Sequence, residues 1–261
     1  MELRRFRAVL AYDGTAYCGF QRQAAGLATI QGAVEDALHQ VTGQRVTVIG
    51  AGRTDTGVHA AGQVIAFDVP WAHRPEALMI ALNMSLPGDI ALQSIRQHEG
   101  FHPRFDAVSR IYNYTLFQTP VRQPLDRHRA WQVWGRLDAV AVDAAAALLI
   151  GRRNFAALGH SPSGENTVRT VMRSAWQRST RPWGTVWEYT IEGDAFLQHM
   201  VRRAVGAMVD VGRGRMTVEE LAVALEQAAL LRVHLAPPHG LVLTCVRYRD
   251  EADGLTQSLL N

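Results

Sequence analysis

The run Ala51–Gly62, AGRTDTGVHAAG, sets one carboxylate, Asp55, two positions after a guanidinium, Arg53. In an extended segment, residues two apart share a side, so Arg53 and Asp55 point one way and Thr54 and Thr56 the other. Gly50, Gly52 and Gly57 let the backbone bend or approach a ligand closely. A guanidinium close by favours the ionised carboxylate. An ionised carboxylate on such a loop suits nucleophilic attack or electrostatic stabilisation. The same spacing also suits an Arg–Asp pair that merely pins a loop, and spacing alone does not separate the two.

Asp-Thr-Gly is also the tripeptide of aspartic proteases, in which two Asp carboxylates share one proton. This chain has one D-T-G and no D-S-G. Retroviral-type enzymes supply one per subunit, but from a far shorter chain and at the end of an apolar strand. Here Gly52-Arg53-Thr54 precedes Asp55, and a neighbouring cation opposes a shared proton. Protease chemistry is therefore excluded. A second run, AYDGT (11–15), resembles the nucleophile loop of aspartyl-phosphate phosphatases, but Ala11 stands where the attacking Asp belongs. Asp13-Gly14 reads instead as a turn after the first strand.

The composition narrows the partner. The chain has 261 residues, 48% of them hydrophobic and 20% charged, as in an ordinary globular protein. No run approaches the ~18 apolar residues of a membrane helix, so no membrane partner is expected. Only Cys18 and Cys245 are present, without a C-x-x-C pair, which speaks against a zinc knuckle or disulfide scaffold and for a reducing cytoplasm. All 27 basic residues are Arg. Every cationic contact is thus a planar fork suited to phosphates and base edges. Between Gly151 and Arg181 stand Arg152, Arg153, Arg169, Arg173, Arg178 and Arg181 against one acid, Glu165. A solvated surface accounts for most charge runs, but this excess also suits an anionic, phosphate-bearing partner.

The elements that must position these groups fall into two similar halves. RRFRAVLAY (4–12) alternates, with Phe6, Ala8, Leu10 and Tyr12 on one face. A helix follows, capped by Thr29 and ended by Gly43. RVTVIGA and QVIAFDV read as strands, a second helix opens at Pro75 and stops before LPGD (86–89), and IALQSI is a strand. The order is β-α-β-β-α-β. In the second half SRIYNYTLF (109–117) pairs with AWQVW (130–134), and a helix runs from about 138 to 151. Strands at VRTVMRSAWQ and TVWEYTIEG bracket a turn at RPWG, and helices at 196–212 and TVEELAVALEQA follow, the latter with a Thr217–Glu220 capping box. LVLTCVRYR closes that sheet. The expected fold is α+β: two ferredoxin-like βαββαβ units with antiparallel sheets and helices on one face. The units are expected at 1–104 and 105–250, with a polar tail at 251–261 and an active-site cleft between them.

AGRTDTGVHAAGQV, YDGTAYCGFQRQ (12–23), FHPRFDAVSRIYNY (101–114), FLQHMVRRAVGAMVDVGRG (196–214) and APPHGLVL (236–243) together resemble, in order, the sequence blocks of the tRNA pseudouridine synthase A family. The blocks cover nearly the whole chain. The resemblance implies isomerisation of uridine to pseudouridine at positions 38 to 40 of the tRNA anticodon stem-loop, without cofactor or metal, by a cytoplasmic homodimer. The base is detached, rotated and rejoined through carbon 5.

Asp55 falls on the family's catalytic Asp, the implied nucleophile at either C1′ of the sugar or C6 of the uracil. Arg53 is implied to fill the space of the flipped nucleotide or hold the RNA open. Flipping costs a few kcal/mol in unstacking, which Arg contacts can offset. Tyr112 falls on the first Tyr of the R-x-Y-x-Y pattern, beside Arg110, and is implied to stack on the uracil and help remove the C5 proton. Tyr114 shares its face and reads as strand packing. The basic partner of the catalytic Asp maps to Arg202. Periodicity sets Arg202 and Arg203 on opposite flanks of one polar face, so the motif alone favours Arg202, and a solvent-facing role suits Arg203 better. Arg110 and Arg169 are expected RNA contacts. His59 and His199 read as packing or hydrogen-bonding residues. Where the family often has G-x-H-D-F, this chain has Gly151-Arg152-Arg153-Asn154-Phe155, so altered tRNA contacts are expected there.

Overall fold

The computed structural model describes residues 2–23, 26–161 and 164–249, and the expected polar tail at 251–261 lies outside them. The chain has a mixed α+β fold. It divides into a first unit, drawn from Met1–Val108 and Leu243–Asn261, and a second, Ser109–Val242.

In the first unit, strand β1 (Arg4–Tyr12) buries Phe6, Ala8, Leu10 and Tyr12, the alternation its sequence predicts. Helix α1 (Ile30–Thr42) starts where the Thr29 hydroxyl accepts the Gly32 N–H and stops at Gly43 in the left-handed region, φ 70°. β2 is only Ile49–Gly50, far shorter than RVTVIGA predicts. The cause is a buried carboxylate on α1. Glu35 Oε1 takes the Val48 N–H at 3.0 Å, leaving that amide unavailable to a strand neighbour. Its other oxygen lies 2.8 Å from Arg22 Nη1, an ion contact outside hydrogen-bond alignment. β3 (His59–Val69), α2 (Pro75–Ser85) and β4 (Ile90–Gln97) complete the predicted order.

β1 lies antiparallel between β3 and β4. The last strand, β10 (Leu241–Tyr248), lies beside β3 in this first unit. Gly62 on β3 permits it: a Cβ there would sit 2.3 Å from the Thr244 carbonyl oxygen.

The second unit is built on β5 (Ala107–Gln118), β9 (Gly184–Gly193), β8 (Val168–Arg181) and β7 (Gly151–Asn154), paired antiparallel in that order. β6 (Trp131–Val133) pairs with β5 as expected, but parallel to it. The connection at 119–130 is long enough to carry the chain back to the start of a parallel strand, which a tight hairpin cannot do.

Helix α3 (Ala139–Ala147), capped by Asp138, ends earlier than predicted, because Gly151 at φ 107° turns the chain into β7. Helix α4 (Met200–Gly212) starts four residues later than its apolar pattern suggests. Gln198 first gives its N–H to the His160 carbonyl, and His199 takes a left-handed φ of 64°. Helix α5 (Val218–Gln227) carries both halves of the predicted Thr217–Glu220 box. Among the described residues no helix is long and apolar enough to cross a membrane.

Candidate active site

The Asp55 loop joins β2 to β3, and the first unit holds its backbone at nearly every step. Ala51 N–H bonds the Val64 carbonyl, and the buried Gln63 gives its Nε2–H to the Gly52 carbonyl at 2.9 Å. The Thr54 hydroxyl lies 2.8 Å from the buried Tyr12 hydroxyl, while the Thr54 carbonyl accepts the Phe20 N–H. A turn follows in which Val58 N–H bonds the Asp55 carbonyl and Gly57 takes φ 77°. The turn explains one departure from the extended reading, which set Thr54 and Thr56 on one side: Thr54 is buried, but Thr56 is exposed.

Two glycines of the 12–23 block let the chain close on this loop. A Cβ on Gly14 would meet the Val58 carbonyl oxygen at 2.0 Å, and one on Gly19, at φ 86°, the Thr54 carbonyl oxygen at 2.8 Å. His59 is buried, its Nδ1 3.0 Å from both Gly14 N and Asp13 Oδ1. The imidazole thus ties the start of β3 to the turn after β1.

Against this frame Asp55 is half-buried and Arg53 exposed. Arg53 makes no hydrogen bond or ion pair among the described residues, so no Arg53–Asp55 pair pins the loop. Tyr12, Gln63 and Phe20 do the pinning. None of the three stood out in the sequence as a functional residue. Their only signal was that Tyr12 and Phe20 fall in one matched block and Gln63 in another.

The remaining candidates lie in the second unit. Tyr112 on β5 is 8% exposed and meets the Phe196 ring edge-on, centroids 5.3 Å apart. Arg110 is buried and gives an Nη1–H to the Asp194 carbonyl at 2.8 Å. Arg169 is half-buried, its Nη1 bonding the Asn166 and Val168 carbonyls at 3.0 and 2.7 Å. Both therefore use donors on their own unit's backbone. Asn154, where the family often has Asp, accepts from Ala156 N–H and the Thr167 hydroxyl.

On α4, Arg202 Nε–H bonds the Ala236 carbonyl at 2.8 Å, and the Ala236 N–H returns to the Arg202 carbonyl. Gly206, one turn on, lets this segment lie against the helix: a Cβ there would meet the His234 carbonyl oxygen. The Tyr114 hydroxyl bonds the next carbonyl, Pro237, at 2.9 Å. Burial raises the Tyr114 phenol well above its ordinary range, partly offset by the Arg202 charge. Arg203 does not face open solvent as expected. It is half-buried on the Leu158 carbonyl, and burial, with Arg202 repelling it, lowers its pKa. Among the described residues no three His, Cys, Asp or Glu side chains are grouped to hold a metal ion.

A family model described as tRNA pseudouridine synthase matches residues 8–106 and 145–249. Curated proteins called tRNA pseudouridine synthase A are similar along almost their whole length. That of Neisseria gonorrhoeae (strain NCCP11945) is 41% identical over 251 residues, covering 94% of this chain and 92% of the relative. That of Solidesulfovibrio magneticus is 42% identical over 253 residues, with the same shares. That of Pseudothermotoga lettingae is 39% identical over 249 residues, covering 94% of this chain and 100% of its own.

Proposed function

The chain belongs to the tRNA pseudouridine synthase A family and is an enzyme of that class, and on this premise we propose that it isomerises uridines 38, 39 and 40 of the anticodon stem-loop with Asp55 as nucleophile. The observation that carries the residue assignment is the contrast inside one loop. The backbone on both sides of Asp55 is tied down by buried groups, while Asp55 itself is half-buried and Arg53, two residues before it, is exposed. A merely structural ion pair would use Arg53 on Asp55, and it does not.

In the proposed reaction the target nucleotide is flipped out of the stack, and Arg53 offsets part of that cost through RNA contacts. The N1–C1′ bond breaks, the uracil turns, C5 bonds to C1′, the C5 proton is released, N1 takes up a proton, and the bond to Asp55 breaks to return the carboxylate. Attack at C1′ and attack at C6 both require an ionised carboxylate. Tyr112 offers a ring for the uracil and a phenol oxygen near the C5 proton. Arg202 supplies the cation that the family pattern pairs with the carboxylate, its Nε already oriented by Ala236. The rearrangement is redox-neutral and is written with no cofactor or metal. Arg110 and Arg169 are read as RNA contacts of the second unit. Each unit is read as ferredoxin-like, a reading supported in the first by the order β1-α1-β2-β3-α2-β4. The working assembly is a cytoplasmic homodimer with one tRNA lying across both subunits.

Tritium release from tRNA transcripts carrying 5-tritiated uridine tests this, because forming the C5–C1′ bond expels that hydrogen. The native protein is expected to release tritium and Asp55→Ala to release none. Release from both would remove Asp55 from the chemistry, and no release from the native protein would overturn the proposed reaction.

A further inference from the structure

We propose that Tyr12 and Gln63 are positioning residues for Asp55, acting through Thr54 and Gly52, an assignment that rests on Asp55 being the nucleophile. Both side chains sit on the buried face of the β1–β3 pair, at 4% and 0% exposure. Leu10 pairs with Gln63 but Tyr12 with Ala60, so Ala61 and Gly62 on β3 face the single residue Ala11 on β1. Such a bulge re-aims the side chains beside it and is frequent next to active sites. Here it precedes Tyr12, whose hydroxyl meets Thr54 Oγ1 at 2.8 Å.

Gln63 Nε2 holds the Gly52 carbonyl at 2.9 Å. The Tyr12 phenol also feels the Gln63 amide, whose Oε1 makes no hydrogen bond of ordinary geometry. The two polar groups thus form one buried patch that bonds residues 52 and 54.

A Phe and an aliphatic side chain would fill the same volume without bringing a hydroxyl and an amide out of water. Burying polar groups is unfavourable unless their bonds are made. What this pair secures is geometry: the Gly52 carbonyl, the Thr54 side chain and, with Phe20, the Thr54 carbonyl are all fixed. Asp55 is the next residue. A nucleophile misplaced by about 1 Å loses on the order of 10²-fold in rate, while substrate binding contacts elsewhere are untouched. Tyr12 and Gln63 therefore act on kcat rather than on tRNA affinity.

Steady-state tritium release from 5-tritiated tRNA transcript tests this with Tyr12→Phe, Thr54→Val, their double variant, Thr54→Ser and two controls. Tyr12→Phe and Thr54→Val are each expected to lower kcat by about 10-fold or more, with KM changed by less than about 2-fold. The double variant is expected to be no slower than the slower single one, since both remove one bond. Thr54→Ser keeps the hydroxyl and is expected to keep kcat.

Tyr189→Phe removes another buried tyrosine hydroxyl, the one bonded to Ser174, and is expected to leave kcat unchanged. Asp55→Ala is expected to be inactive. Native kcat in Tyr12→Phe and Thr54→Val alongside an inactive Asp55→Ala would overturn the positioning role alone. An equal loss in Tyr189→Phe, or a loss confined to KM, would overturn it as well. An active Asp55→Ala would remove the nucleophile assignment and this role together.

Discussion

The Tyr12 hydroxyl meets the Thr54 hydroxyl at 2.8 Å in the core below the Asp55 loop. Burial pushes the Tyr12 phenol up to about 12, against the opposing pull of its bonds to Thr54 and Gln63. In the unfolded chain the same phenol ionises near 10. Its contribution to stability is therefore complete below about pH 10 and is lost as pH rises through 12. A two-unit shift on a fully buried group corresponds to about 3 kcal/mol. Because the chain has no Lys, phenols rather than ammonium groups dominate this alkaline window. Urea unfolding from pH 10 to 12 should show the native protein losing more stability than Tyr12→Phe, by about that amount. Parallel curves would mean that Tyr12 ionises at its ordinary value.

Gly206 sets two opposite expectations against each other. In an exposed helix interior, Ala would be favoured over Gly by about 1 kcal/mol. Here the added Cβ would meet the His234 carbonyl oxygen at 1.9 Å, a backbone atom that must move. Overpacking of this kind costs about 1–3 kcal/mol or more. The contact wins, so Gly206→Ala is expected to destabilise the protein, by up to about 2 kcal/mol net. Thermal unfolding checks the sign: a raised Tm would show that the 234–236 segment yields freely.

Arg202→Lys keeps the charge but loses the Nε–H that bonds the Ala236 carbonyl. A lysine ammonium cannot hold that carbonyl and present a planar fork at the same time. The expected outcome is a fall in kcat of about 10²-fold, comparable to removing one oriented donor from a reacting site. Arg203→Lys, on the same helix and bonded to the Leu158 carbonyl, is expected to change thermal stability more than kcat. Equal effects of the two substitutions on kcat would mean that α4 contributes bulk charge, not one oriented guanidinium.

The first unit was the more readable half, because its signals are local. Thr29 and Gly43 mark both ends of α1, Pro75 opens α2, and alternation marks β1. What the sequence hid depends on distant partners. β10 lies beside β3, a pairing allowed by one missing Cβ at Gly62. The left-handed His199 delays α4 because Gln198 first pairs with His160. In the candidate site, the Asp55 loop and its glycines could be read directly. Tyr12 could not, since it looks like the last apolar residue of an alternating strand. Its hydroxyl partner lies 42 residues away. The Arg53–Asp55 spacing was ambiguous for a related reason: whether two charges pair depends on what else holds the loop.

Arg53 gives the most direct test of an RNA-facing loop. It is exposed and makes no hydrogen bond or ion pair among the described residues, so Arg53→Ala removes nothing that the folded protein uses. Surface substitutions of that kind stay within about 0.5 kcal/mol of native stability. If the guanidinium meets a tRNA phosphate, its removal weakens binding and reduces the slope of log K against log salt by about 1. If it instead occupies the place of the flipped base, kcat falls while the salt slope holds. Filter binding of tRNA across a salt series, run beside tritium release, separates the two roles. Native affinity, native salt slope and native kcat in Arg53→Ala would leave the exposed guanidinium with no part in either, and Asp55 would then work without help from the cation two residues before it.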